Sequence, residues 1–166
     1  MKIDKIFLVV FTVCAIMWLG LTSARLIISN EMLSSKTYQY LPQINIQTEF
    51  VYFSVISKII YLNLILYALI LISAIGFILT KEISFKENPY LLTSAIMYFM
   101  FVPVEIYCAN LDWNFIWLGW KNSINIEEYR HLFMERIRAF SGLPMIAILC
   151  YYTIIPLIIF KPFNKK

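Results

Sequence analysis

Four stretches of the chain carry no formal charge: residues 6–24, 59–80, 88–104 and 139–160. A helix needs about 20 apolar residues to cross the hydrocarbon core of a bilayer, with about 17 as the lower limit. The third stretch reaches that limit only when Asn88 and Pro89 are counted, so its span is expected to run on past Glu105. The pattern predicts an all-α, polytopic integral membrane protein, a single domain over residues 1–166 built as a four-transmembrane-helix bundle. The expected spans are about 6–28, 56–80, 89–109 and 141–160, allowing each helix to pass a little beyond its uncharged part.

The connections have characters of their own. "SSKTYQYLPQINIQTEF", residues 34–50, reads as a polar loop, because Pro42 and the scattered Asn, Gln and Ser oppose a long helix. "KEISFKENP" is short, which makes the second and third spans an antiparallel hairpin with Pro89 opening the third. Trp113, Trp117 and Trp120 stand at i, i+4 and i+7 and share a helical face, the pattern of an aromatic belt at headgroup level. From Asn125 a second period appears: Ile126, Tyr129, Phe133, Ile137 and Phe140 form one stripe, with Glu127, Glu128, Arg130, Glu135 and Arg138 around it. This predicts an amphipathic helix over about 125–140, lying on the outer membrane surface or capping the bundle. Gly142 and Pro144 then permit a bend into the last span.

Composition agrees. Of the 166 residues 61% are hydrophobic and 14% charged, against about 25% charged in an ordinary soluble domain; the mean hydropathy is +0.74. The net charge of +4 comes mostly from lysines flanking the spans, which favours anionic lipid headgroups and not nucleic acid. Cys14, Cys108 and Cys150 have no CxxC spacing and indicate no disulfide framework.

Charge also bears on orientation. Lys2, Lys5, Lys81, Lys86, Lys161, Lys165 and Lys166 flank one side of the expected bundle; Arg25, Lys36, Lys58, Lys121, Arg130, Arg136 and Arg138 flank the other. The first set sits in short segments against the helix ends, where the positive-inside rule applies best, so both termini are expected inside. A bacterial inner membrane fits the short, lysine-flanked design. The beginning also has features of a signal peptide, with basic "MKIDK", an apolar core and "LTSA". The core is long for that purpose, and Trp18 near its end suits an interfacial anchor.

Within such a bundle an ionisable residue is a functional candidate by default. Glu105 follows Pro103 near the outer end of the third span; Arg25 lies just beyond the uncharged part of the first; Lys58 marks the start of the second, with Asn63 about one turn deeper. The expected topology brings these four residues to one leaflet. Glu105 paired with Arg25 or Lys58 offsets part of the desolvation cost of each, and Pro103 frees a carbonyl on the preceding turn. Two readings follow: a structural ion pair with snorkelling stems, or a ligand, proton or ion site. His131 is the sole histidine, flanked by Glu128 and Glu135 at i−3 and i+4. One Glu-x-x-His copy is fewer than a carboxylate-bridged metal site uses, so these three residues are weak metal candidates. Asn63 with Ser73, Ala74 and Gly76 makes a polar, small-residue face of the kind that marks helix–helix contact.

GxSxG, HExxH, Walker and dinucleotide-turn motifs are all lacking, and no cofactor is expected. The order of span, loop, hairpin of spans, Arg-bearing helix and span loosely resembles two groups of four-span proteins. "VPVE" (102–105) and "RHLFMERIRAF" (130–140) resemble the anthrone-oxygenase-like proteins. "LPQI" (41–44) and the chain's size resemble immunity proteins against pore-forming bacteriocins. Neither resemblance transfers a residue role. The leading expectation is a non-enzymatic protein that binds another membrane protein, as accessory subunit or blocker, or self-associates. The alternative is a small membrane enzyme or ligand pocket in the outer leaflet around Glu105 and Arg25. A monomeric transporter is disfavoured, since the sequence shows no inverted repeat.

Overall fold

A computed structural model describes residues 3–33, 40–41, 44–80, 85–121 and 125–162. Lys2, Lys36, Pro42, Lys81, Lys165 and Lys166, used above for orientation and loop character, lie outside the described residues. The protein is an all-α, multi-pass integral membrane protein. Four of its helices are long and apolar enough to span a bilayer: α1 (Ile3–Met32), α2 (Ile46–Thr80), α3 (Pro89–Trp120) and α5 (Leu143–Phe160). Between the last two stand α4 (Ile126–Arg138) and a single 3-10 turn, Ala139–Gly142.

Three helices exceed the spans the hydropathy pattern predicts, α1 by about a turn at each end and α2 and α3 by several turns at one end. α2 begins at Ile46, inside the stretch expected to be loop, and α3 runs on without a break to Trp120. At 1.5 Å per residue α2 and α3 are each about 50 Å long, against a hydrocarbon core of about 30 Å. Thr80 and Pro89 are joined by a short connection, so the surplus stands at the opposite end, hereafter the cap end. There the helices are supported by each other and by α4, so polar residues such as Gln47, Glu49 and Asn114 are tolerated, and hydropathy no longer reports the helix.

The bundle accordingly has two cores. Within the spans Trp18, Tyr67, Ile70, Tyr98, Phe101, Ala147 and Tyr151 pack together. At the cap end Met32, Phe53, Ile56, Phe115, Tyr129 and Phe133 form a second core. Its centre is aromatic: the Phe53 ring stacks on Tyr129 at 5.4 Å, and Phe115 meets Tyr129 edge-on at 5.1 Å. Thus α4 turns Tyr129 and Phe133 down onto the protruding ends of α2 and α3. It caps the bundle.

Three finer expectations change. Phe140 leaves the stripe of α4, because the helix stops at Arg138 and Phe140 itself takes a φ of 51°; its ring packs on Tyr107 instead, at 4.9 Å. Trp18 is not an interfacial anchor but a buried residue, 7% exposed, between Tyr67 and Tyr151. The small-residue face does contact α1, and closely: a Cβ on Gly76 would lie 2.6 Å from the Phe7 ring. Trp113, Trp117 and Trp120 share a face of α3, all about half exposed, with edge-to-face contacts among themselves.

Candidate functional site

Between the two cores lies a layer of polar side chains. Arg25 on α1 donates two hydrogen bonds to Asp112 on α3, from Nη1 to Oδ2 at 2.9 Å and from Nη2 to Oδ1 at 2.7 Å. Both side chains are almost buried, at 12% and 9% exposure. A fork-to-fork pair of this kind is the strongest geometry available to a guanidinium and a carboxylate. It reaches across the bundle, because α1 packs mainly on α2, and α3 mainly on α5.

Arg136 of α4 reaches the same carboxylate. Its Nε lies 3.3 Å from Asp112 Oδ1, a contact without hydrogen-bond angles, so this buried N–H has no partner. Burial opposes the charge on Arg136. The attraction of Asp112, with smaller contributions from Cys108 and Glu105, more than offsets that and holds the guanidinium above its ordinary pKa. Asp112 therefore ties α1, α3 and α4 at one point.

Glu105 is two turns below Asp112 on α3 and 7% exposed. Its carboxylate forms no hydrogen bond and no ion pair within 4.0 Å among the described residues. Neither Arg25 nor Lys58 is its partner. Arg25 is committed to Asp112, and Lys58 points out to an exposed position on α2. Asn63 is where the sequence places it, facing α1: its amide nitrogen donates to Thr22 Oγ1 at 3.2 Å, while its Oδ1 is buried without a partner.

These groups border one cavity of about 830 Å³, well within the range that holds small ligands. Arg25, Asn63, Glu105, Asp112 and Arg136 supply its polar wall. Trp18, Leu64 and Tyr67 form the floor, Phe133 and Ile137 the roof, and Leu26, Met145 and Ile148 the side between α1 and α5. The lining reaches the surface at the exposed Arg138 of α4 and at the half-exposed Met145, on the side between α1 and α5. Below that opening α1 and α5 close through Ser23 and Tyr152, whose hydroxyls are 2.7 Å apart, and through the Trp18–Tyr151 ring contact. From Pro89, Glu105 is about 24 Å and Asp112 about 35 Å along the helix, which sets the layer at the boundary of a hydrocarbon core about 30 Å thick.

A second ion-pair group fixes the roof. Arg130 holds Glu49 through Nε–Oε1 at 2.8 Å and Nη2–Oε2 at 2.7 Å, and Glu127 through Nη1 at 2.7 Å. Glu49 is 2% exposed. The hydrogen bonds from Arg130 to Glu49 raise the guanidinium pKa above its usual range.

His131, Glu128 and Glu135 stand on the exposed side of α4; His131 Nδ1 is 3.8 Å from Glu135 Oε2. Among the described residues no three His, Cys, Asp or Glu side chains are placed to hold one metal ion. The three thiols are free. Asp112, Arg136 and Glu49 do not appear among the candidates drawn from sequence. The signal available was Asp112 at i+7 from Glu105, which puts both carboxylates on one helical face if the third span continues.

The fold and site define a four-span membrane bundle with a helical cap and a polar cavity beneath it. No family model, curated protein or solved structure matches the chain.

Proposed function

We propose that this protein binds a small amphiphilic molecule in the cavity beneath its cap. One observation carries the reading: Glu105, 7% exposed with no protein partner within 4.0 Å of its carboxylate, and Arg136, largely buried and ion-paired to Asp112 with an Nε–H that makes no hydrogen bond, border the same ligand-sized cavity. Buried polar groups are ordinarily hydrogen-bonded, and leaving one without a partner costs about 1–3 kcal/mol, more when it is charged. A guest supplying the missing partners relieves that cost. The apolar floor and the side opening between α1 and α5 support a guest that enters from the bilayer with an apolar portion attached. With the termini inside, the site belongs to the outer leaflet of a bacterial inner membrane.

The test is extraction in mild detergent followed by native mass spectrometry of the intact chain. A non-covalent small-molecule adduct is expected on the wild type. Ala109→Trp, which places a ring in the cavity from α3, is expected to lose it while keeping its thermal unfolding midpoint. A bare wild-type chain, or an adduct unaffected by Ala109→Trp, removes the proposal.

A second reading, that the protein acts by binding another membrane protein, has the exposed Trp113, Trp117 and Trp120 face in its favour, since aromatic residues are enriched at interfaces. A polypeptide co-purifying at fixed stoichiometry, and lost in Trp117→Ala, supports it; a chain free of polypeptide removes it.

A further inference from the structure

The cavity's charges define the guest more narrowly, an inference that rests on the binding function proposed above. Four ionisable side chains in its wall are largely buried: Arg25, Arg136, Glu105 and Asp112. Their formal charges sum to zero. A guest with a net charge would leave an uncompensated charge at the edge of the hydrocarbon core, where desolvation is costly. A neutral guest does not. Arg25 and Asp112 satisfy each other through two hydrogen bonds and have little left to offer. Asn63 Oδ1 and the Tyr67 hydroxyl are buried in the lining without a partner, and two charged groups keep unused capacity beside them: the carboxylate of Glu105, an acceptor with no donor within reach, and Arg136, ion-paired to Asp112 but with an Nε–H that makes no hydrogen bond. The two charged groups do not pair with each other, being more than 4.0 Å apart. The guest that fits is overall neutral and carries a hydrogen-bonding cation on one side and an oxyanion on the other.

We propose that the cavity takes a head consisting of a primary ammonium and a phosphate on a short linker, the ammonium at Glu105 and the phosphate at Arg136. A primary ammonium brings three N–H donors to a carboxylate that has none, whereas a quaternary ammonium brings none. A phosphate matches the planar fork of a guanidinium. Exposed Arg138, also in the lining, adds positive potential at the rim and is the feature an anionic guest would also use. An aminoethyl phosphate head reaches the site either on a phospholipid, through the opening at Met145, or as the free molecule.

The experiment uses the full chain, delipidated in detergent and titrated with phosphatidylethanolamine, phosphatidylcholine or phosphatidylglycerol of identical acyl chains, bound lipid being counted by native mass spectrometry. Phosphatidylethanolamine is expected to be retained about tenfold or more above the other two, a factor typical of a hydrogen bond to a charged group. Glu105→Gln is expected to abolish that preference; Glu105→Asp, which keeps the carboxylate, retains part of it and stands in should the amide variant misfold. Equal retention of all three lipids, with Ala109→Trp still eliminating it, overturns the head assignment and leaves the cavity function intact. Retention that survives Ala109→Trp removes both. Free 2-aminoethyl phosphate added in excess separates the sources: competition by it together with ethanolamine-lipid preference supports the head chemistry with a soluble guest, and the same preference without competition supports the lipid. Competition by inorganic phosphate alone, equal to that by aminoethyl phosphate, overturns the role of the ammonium.

Discussion

At the scale of single residues, Asp112 and Glu105 are two carboxylates on one helix with opposite circumstances. Asp112 is held by two arginines from two other helices, and removing one leaves a buried charge short of its partner. Arg25→Ala is therefore expected to destabilise the protein by about 3–5 kcal/mol, as breaking a buried pair commonly does. Arg25→Lys, which keeps the charge but loses the fork, should cost clearly less; unfolding titrations in mixed micelles would resolve the two. Glu105→Gln breaks no ion pair and removes the need to desolvate a charge. Its stability should equal or exceed that of the wild type even where ligand retention falls. A large loss of stability in Glu105→Gln would make Glu105 a packing element instead of a binding group. Glu105, Arg25 and Asn63 were legible in the sequence because each interrupts an apolar run. Asp112, Arg136 and Glu49 were not, because each sits in locally polar sequence where a charge draws no notice. Their burial comes from α4 folding back over the ends of α2 and α3, a tertiary event with no local signature.

At the scale of elements, the spans were legible where they touch lipid and illegible where they leave it. Hydropathy registers the solvent of a helix, so α2 was truncated at the point where its surroundings change from bilayer to cap, near Ile56. The period of α4 was visible, and Tyr129 and Phe133 of its stripe are the residues that α4 buries, but a period does not say what a face packs against. Two predictions belong here. Phe53→Ala empties the middle of the aromatic cap core, where Phe53 is 1% exposed, and should cost about 3–5 kcal/mol. Together with Arg130→Ala, which strands Glu49, it should loosen α4; the measurement is the rate of trypsin cleavage at Arg130, Arg136 and Arg138 in Phe53→Ala and at the latter two in Arg130→Ala. Unchanged cleavage would mean that α4 is held by something other than its aromatic and ionic contacts with α2. At the opposite end, Gly76→Ala drives a methyl into the Phe7 ring. Overpacking of this kind costs about 1–3 kcal/mol, and Phe7→Leu in the same chain should recover part of it if the clash is the cause.

At the scale of the whole molecule, the helices form a ring whose seams are unequal. α1 packs along α2, and α3 packs along α5, while α1 and α5 meet chiefly through the Ser23–Tyr152 hydrogen bond and the Trp18–Tyr151 contact. The cavity opens directly above that seam, beside Met145. A guest that enters from the bilayer passes there, because the other exposed part of the lining, Arg138, belongs to the cap, and the aromatic core of the spans closes the floor. The seam therefore governs how fast the guest exchanges, while Glu105 and Arg136 govern which guest is held. Tyr152→Phe removes one hydroxyl contact worth about 0.5–1.5 kcal/mol, so dissociation of a fluorescent ethanolamine lipid should accelerate about two- to tenfold. The preference among headgroups should not change, since Tyr152 does not border the cavity. Met145→Trp narrows the opening and should slow the same dissociation. If Tyr152→Phe and Met145→Trp both leave the rate untouched while Ala109→Trp still empties the cavity, the route of entry lies beneath α4 from the aqueous side, and the guest is a soluble molecule and not a lipid.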